Sequence, residues 1–431
     1  MNNPSPLQAV RDSFKNLVAN LGTNRDKQAS GGYYLNTLTP DTLSAIYRTS
    51  WMGRKTVDIP AKDATRKWRE WEAEAEQIEA IEKEEKRLLL PQKIMYALRL
   101  SRLYGGSAIY FSIDGDDPTL PLELESVKPG SLSFVTVFPK SELRTGEIDQ
   151  DPMSKNYSMP KWYEINGSST QRIDPSRLAL FTGAETLTTG TMGINEGWGD
   201  SVLQSAFEAV RNADSTASNT ASLVYEAKVD VLKIPDLANI MSNPRTRAML
   251  EQRVELSAQL KGNNGMLIID GEEDYSQKTF SFSGLPEITY QALQAVSGAA
   301  DIPITRFLGQ SPAGLTSTGE SDLKNYYDSV NSMQTLVITP ALENLDQVLL
   351  RSTLGSDIDD ISYSWASLWQ MSDEQKSKIS KEAAETIKIL AESGLFMDAD
   401  LASAAANVLI EHSILPSFEF TEANHSEEGD L

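Results

Sequence analysis

Residues 301–350 read DIPITRFLGQSPAGLTSTGESDLKNYYDSVNSMQTLVITPALENLDQVLL, and the rest of the chain is organised around them. The opening is flanked by proline (Ile302, Pro303, Ile304). Leu308–Thr318 (LGQSPAGLTST) is rich in Gly, Ser, Thr and Pro and holds no charge. Packed as helix or strand it would leave polar backbone unpaired, so it is expected in solvent or lining a cavity. From Gly319 onward Leu323, Tyr326, Tyr327, Val330, Met333, Val337, Ala341, Leu345, Val348 and Leu349 recur at three- and four-residue steps, the spacing of one helix face. Pro340 removes one N–H midway and clashes with the carbonyl four residues back, so a kink is predicted there. A kinked core helix after a surface loop satisfies the periodicity by itself. The order of parts in the rest of the chain carries further information.

The 431 residues are enough for a large core and suggest two or three domains, because single cores stop growing at roughly 250–300 residues. With 39 Lys+Arg against 61 Asp+Glu the net charge is −22. Such a surface repels nucleic acid and anionic membranes on average, which excludes DNA as a tightly held ligand over most of it but not as a partner. There is no cysteine, and the two histidines, His412 and His425, fall in a tract that ends acidic. Zinc fingers, thiol catalysis and disulfides are excluded, and a Ser-His-Asp triad would have to borrow a histidine from the tail. Carboxylate-only chemistry stays open. The longest apolar runs, Leu88–Leu90 and Met266–Ile269, are far short of the roughly 20 residues of a membrane span, and no signal-length N-terminal run is seen. A product made in the cytoplasm is expected.

Residues 1–40 read as a peripheral arm with a short amphipathic run (Leu7, Val10, Phe14, Leu17, Val18, Leu21). Next, TLSAIYRTSWMGRKTVDIPAKDATRKWREW (42–71) predicts a helix up to Ile59, with Pro60 starting a new segment or a kink. Arg48, Arg54, Lys55, Lys62, Arg66, Lys67 and Arg69 outnumber Asp58 and Asp63, with Trp51, Trp68 and Trp71 interleaved. Two readings fit: a nucleic-acid patch, or the commoner solvated or interface face that pairs with acidic neighbours. A charged exposed helix is predicted over 72–87 and a second helix over 88–103. Gly105-Gly106 then turns into a strand at 108–113; neither GxxxxGK[ST] nor GxGxxG follows, so a tight helix-to-strand turn is favoured over a phosphate cradle. From 114 to 183 prolines punctuate short strands at 133–138, 162–165 and 179–181, giving a mixed α+β domain. Asp114, Asp116 and Asp117 are a candidate cation site, but EF-hand spacing does not continue from them, and a hydrated turn is the better reading.

NEGWGD (195–200) is a Gly-rich turn, after which Asp200 or Ser201 caps a helix to Lys228 whose middle, 215–222, is nearly all small and polar. A strand (229–234), a helix (238–260) with Arg245, Arg247 and Arg253, and strands at 266–270 and 278–283 follow, then a second helix from Pro286 to Ile302. The picture is a knob on two helical stalks. Beyond 350 a strand-like run (361–369), a helix (373–393) with Gly394 as C-cap, a helix at 401–410 and an acidic tail are predicted.

The succession resembles the portal proteins of tailed bacteriophages, especially a shorter sub-family of the anti-CBASS or unknown-function type. Tyr47-Arg48-Thr49-Ser50-Trp51 through Asp58-Ile59-Pro60 carries the resemblance, with Leu103-Tyr104-Gly105-Gly106-Ser107-Ala108, Asp174-Pro175-Ser176-Arg177, Gly197-Trp198-Gly199-Asp200-Ser201, and Ile302-Pro303 with Phe307-Leu308-Gly309. It covers about residues 40–395. The resemblance implies an α+β portal fold assembled as a ring, usually a dodecamer, at one capsid vertex of the virion, with no catalysis and no cofactor. Double-stranded DNA would be packaged and later ejected through its channel. Implied partners are the terminase large subunit, a head-tail adaptor protein, and major capsid and scaffold proteins, with no membrane. The implied parts are an arm (1–40), wing (41–199 and 319–370), stem helices (200–228 and 284–302), clip (229–283), tunnel loop (303–318), and crown-like helices with an acidic tail (371–431). The tunnel loop would touch DNA through Gln310, Ser311, Thr316, Ser317 and Thr318; it has no Lys or Arg between Gly309 and Thr318, so contact would be by hydroxyls, amide and backbone. Arg245, Arg247 and Arg253 of the clip are candidates for partner contacts, with pairing along their own helix as the alternative. A negatively biased channel lets a polyanion slide because it offers no phosphate-binding minima. No ATP site is visible, so a separate motor would supply energy. Two other readings compete: a carboxylate/Mg-dependent phage enzyme using Asp114, Asp116 and Asp117, and a minor head or scaffold protein without a channel.

Overall fold

The computed structural model describes residues 36–392 except 155, 158, 167–170, 187–196, 226–227, 261–273, 280–281, 310–318, 356–357, 359–360 and 370–372. Thr39 caps α1 (Pro40–Thr49), accepting from the Thr42 N–H, and Ser50 caps α2 (Trp51–Arg66) in the same way through Gly53. The helix therefore breaks at Ser50, and Pro60, predicted to begin or kink a segment, lies buried inside α2. Another helix supplies what Pro60 lacks. The Arg102 guanidinium donates to the carbonyls of Thr56 at 2.9 Å and Val57 at 3.1 Å, replacing the missing i→i−4 bond. Burial pulls this guanidinium down to about 10, which leaves it charged at neutral pH.

β1 (Arg69–Glu72), α3 (Ala75–Leu88), α4 (Leu90–Tyr104), β2 (Gly106–Ile113), β3 (Leu132–Pro139), β4 (Leu143–Thr145), β5 (Tyr163–Ile165), β6 (Gln171–Ile173) and β7 (Leu178–Thr182) follow. β1 was not foreseen: its REWE alternates buried and exposed, a period of two hidden by three charges. The antiparallel sheets run β3-β2-β7 and β4-β5-β6. Basic side chains cover the outer edge of β3, with Arg87 donating to the Leu132 and Ser133 carbonyls and Lys93 to that of Val135.

The chain continues through α5 (Val202–Tyr225), β8 (Lys228–Lys233), α6 (Leu237–Ser242), α7 (Pro244–Leu260), β9 (Asp274–Thr279), α8 (Leu285–Ala300) and α9 (Ile304–Leu308). Then come α10 (Glu320–Met333), a π-helical turn (Gln334–Ile338), α11 (Thr339–Leu354), β10 (Ser362–Trp365) and α12 (Asp373–Glu392). The predicted 238–260 helix is broken at Asn243, which is extended before Pro244 as the proline ring requires. β9 lies N-terminal to the expected 278–283, because its pairing runs from Lys228↔Thr279 to Lys233↔Asp274. The strand at 266–270, the Gly394 cap, the 401–410 helix and nearly all of the arm lie outside the described residues. The kink predicted at Pro340 takes the form of the π turn just before it. That turn places Pro340 in the first turn of α11, where a missing N–H costs nothing.

α5 and α8 pack side by side, and β8 pairs with β9 beyond them. The main core joins α2, α3, α4, the β2 sheet and α11, with Phe111, Phe181, Leu342 and Leu349 fully buried. β1 pairs with β10, which ties the chain after α11 back to its beginning.

Candidate functional site at the roots of the 310–318 segment

The uncharged 310–318 segment leaves α9 at Gly309 and re-enters at Gly319, both with left-handed backbone (φ 71° and 67°), where glycine has no Cβ to clash. One carboxylate fastens both roots to α2. Arg306, before the segment, grips Asp63 with two bonds of 2.8 and 3.0 Å, and Tyr326, after it, donates to Asp63 Oδ2 at 3.0 Å. Arg66 approaches the same carboxylate at 3.6 Å, stacks 5.0 Å over the Tyr327 ring, and donates to the Leu368 carbonyl. Burial, then the Asp63 charge, pushes the Tyr326 phenol well above its ordinary value, so it stays a donor. Higher on α2, Lys55 donates to the Phe307 carbonyl and lies 5.2 Å over Trp51, whose ring leans on the buried Phe307 at 6.0 Å.

Two of the motifs that carried the resemblance meet in space. Gly105 and Gly106 abut Gly199 and Trp198 so closely that a Cβ on Gly106 would lie 2.2 Å from the indole, and one on Gly199 would lie 2.6 Å from the Ala184 carbonyl oxygen. In the third motif Asp174 caps Ser176, and the buried Arg177 bonds the Leu120 carbonyl and Asp116 at 2.7 Å each. Deep in the core Arg69 links Glu85 and Asp346 at 2.7 Å each, between the rings of Trp71 and Tyr363. Burial raises the Asp346 carboxyl; in Arg69 burial is outweighed by Asp346 and Glu85, which hold the guanidinium charged.

Gln310, Ser311, Thr316, Ser317 and Thr318 lie outside the described residues. Arg245 and Arg247 are exposed on α7, and Arg247 pairs with Glu251 at 2.8 Å, the helical alternative named above. The aspartate turn is taken up internally: Ser133 donates to Asp114, Arg177 holds Asp116, and Asp117 caps Thr119. No group of three or more potential metal-ligating side chains occurs among the described residues. Three of the seven basic residues of the run pair with acids, Lys62 with Asp58, Arg66 with Asp63 and Arg69 with Glu85, in line with its commoner reading, while Arg54 and Lys55 donate to the Tyr47 and Phe307 carbonyls. Asp63, Arg306, Tyr326 and Arg102 were missed. The one available signal was an acid at position 63 among the apolar neighbours of α2.

Residues 41–389 match the family described as phage portal protein. The "Anti-CBASS protein Acb1" of Caulobacter sp. (strain RHG1) is 40% identical over 432 residues, covering 96% of this chain and 69% of that protein. Among solved structures, "Neck of empty GTA particle computed with C6 symmetry" superposes with a TM-score of 0.54 at 14% identity, over 91% of this chain and 99% of that one. "Neck of native GTA particle computed with C12 symmetry" gives 0.50 at 15% identity, over 91% and 98%. The solved structures give the α+β arrangement of sheets, paired helices and returning α11 its place among known folds, and the match over 41–389 establishes that the chain belongs to the phage portal protein family.

Proposed function

We propose that this chain is the subunit of a ring-shaped portal, of about twelve copies, at one capsid vertex of a virion, through which double-stranded DNA is packaged and ejected. Beside the family, the observation that carries this is the fastening of both roots of 310–318 to α2 through Asp63. A segment without charge, held at both ends by a buried carboxylate, is suited to project into a channel and let a polyanion slide past. In this reading 41–199 and 319–370 form the wing, 200–228 and 284–302 the stem, 229–283 the clip, 303–318 the tunnel loop, and 371–431 the crown-like end. Arg245, Arg247 and Arg253 would meet the terminase large subunit, then a head-tail adaptor; major capsid and scaffold proteins would surround the wing. The chain itself performs no catalysis, and a separate motor supplies the energy. The C6 and C12 symmetry of the two matching necks supports the ring.

Native mass and negative-stain images of the purified protein test this. Rings of about twelve with a central hole are expected, and deletion of 311–317 should impair DNA packaging or retention while leaving the ring intact. A compact monomer that cleaves phosphoesters in Mg²⁺ would refute it. The anti-CBASS name of the Caulobacter relative favours a second reading, in which that activity is shared. Nearly a third of that relative lies outside the match, and we place the activity in that further part; anti-CBASS protection by this chain alone would reverse the assignment.

A further inference from the structure

In α2 the exposed residues are Trp51, Arg54, Lys62 and Arg66, a ridge of one indole and three cations about 22 Å long at 1.5 Å per residue. On a chain of net charge −22 this ridge is locally cationic. The carboxylates beneath it, Asp58 and Asp63, are buried, and Arg99 and Arg306 also hold them. Trp51 is 47% exposed, with Phe307 against it and Lys55 over its ring. Such an indole is a costly thing to leave uncovered and is typical of an interface anchor.

The same chain carries a complementary surface. A cavity of about 330 Å³ opens between the end of α8 and α10, lined by Ser297, Asp301, Asp322, Asn325, Tyr326 and Ser329 among others. Neither Asp301 nor Asp322 has an ion-pair partner among the described residues. At 100° per residue along α10, Asp322, Asn325 and Ser329 fall on one flank of Tyr326 and Tyr327 on the other, and Arg66 covers the Tyr327 flank. Ridge and cavity therefore lie on different flanks of α10, and no ion pair joins Asp301 or Asp322 to the ridge cations among the described residues. Two different, complementary patches on one molecule are what a head-to-tail interface needs, and such an interface closes into a ring.

We propose that the α2 ridge docks on the acidic cavity between α8 and α10 of a second copy of this chain, an inference that rests on the ring reading above. A DNA duplex would neutralise the cations yet leave the indole and the acidic cavity uncovered; a second copy covers all three. The contact would set the roots of each 310–318 segment at a subunit boundary, since Lys55, Asp63 and Arg306 join the ridge to those roots.

Charge reversal tests the proposal on the full chain. R54E/K62E and D322K change exposed side chains, and unchanged thermal melts of the monomers exclude misfolding as the cause. Each is expected to raise the concentration for half-assembly at least about tenfold, because like charges then meet at every interface. The chain combining all three substitutions is expected to assemble within about threefold of wild type, a recovery no effect on folding would produce. Wild-type rings that persist unchanged in both variants, or no recovery in the combined chain, would overturn the interface. So would R54E/K62E rings of normal mass that lose retention of a short duplex, which would assign the ridge to DNA. A wild-type chain that forms no ring at any concentration overturns the ring reading itself, independently of the variants.

Discussion

Replacing Asp63 by alanine removes the joint that holds both roots of the 310–318 segment. It deletes the two bonds from Arg306, the bond from Tyr326 and the 3.6 Å approach of Arg66. Hydrogen bonds to charged groups contribute about 1.5–3 kcal/mol each when shielded. Arg306 has a side chain 36% exposed, so its share is discounted to about 1 kcal/mol for solvent screening. Tyr326 is 5% exposed, and its orphaned phenol costs about 1–3 kcal/mol. Asp63→Ala should therefore lose roughly 3 kcal/mol, about a hundredfold in the folded-to-unfolded ratio. Asp63→Asn keeps an oxygen for Tyr326 and should lose about half as much. Urea unfolding gives the totals, and amide hydrogen exchange gives the location, with faster exchange in 304–308 and 320–327 and little change in β2. Equal losses for Ala and Asn, or faster exchange spread evenly over the core, would refute the idea that one carboxylate fastens both roots.

Arg102→Met should cost about 1–3 kcal/mol by stranding the buried Thr56 carbonyl, which Pro60 leaves without an N–H. Adding Pro60→Ala should restore about 1 kcal/mol, because the alanine supplies an N–H to the Thr56 carbonyl, and additive losses in thermal unfolding would count against that coupling. Gly106→Ala, with its Cβ 2.2 Å from Trp198, should lose more than about 3 kcal/mol or soluble yield, whereas Gly115→Ala, with open space around it, should cost only about 1 kcal/mol of left-handed strain. Arg69→Met strands two buried carboxylates and should cost about 3–5 kcal/mol in urea, most of it regained in R69M/E85L/D346L. Burial holds the Tyr163 and Tyr326 phenols above their ordinary value of 10.0, so the unfolded chain loses those protons first. Their contribution is complete below about pH 10 and falls as pH rises past it. Urea midpoints from about pH 9 to 11 should decline, less steeply in Tyr163→Phe, with Arg102 contributing the opposite slope because its guanidinium is pulled down.

Elements whose signals are local were legible along the chain. Period-two runs marked the strands around 108–113 and 133–138, and small residues marked α5. Proline placed a disturbance near residue 340, and the absence of cysteine excluded thiol and disulfide chemistry. How those elements are joined was not legible there, because each joint depends on partners far apart in the chain. Pro60 sits inside a helix only because Arg102, 42 positions on, donates to the carbonyl it leaves free. The charged REWE becomes a strand only because residues 362–365 pair with it. Asp63 looked like one of two acids diluting a basic run, yet it anchors Arg306 and Tyr326, which lie more than 240 positions away. Periodicity reports which face of an element avoids water. It carries no record of which distant polar group will satisfy a buried one, and in this chain those long-range pairs hold the loop roots in place.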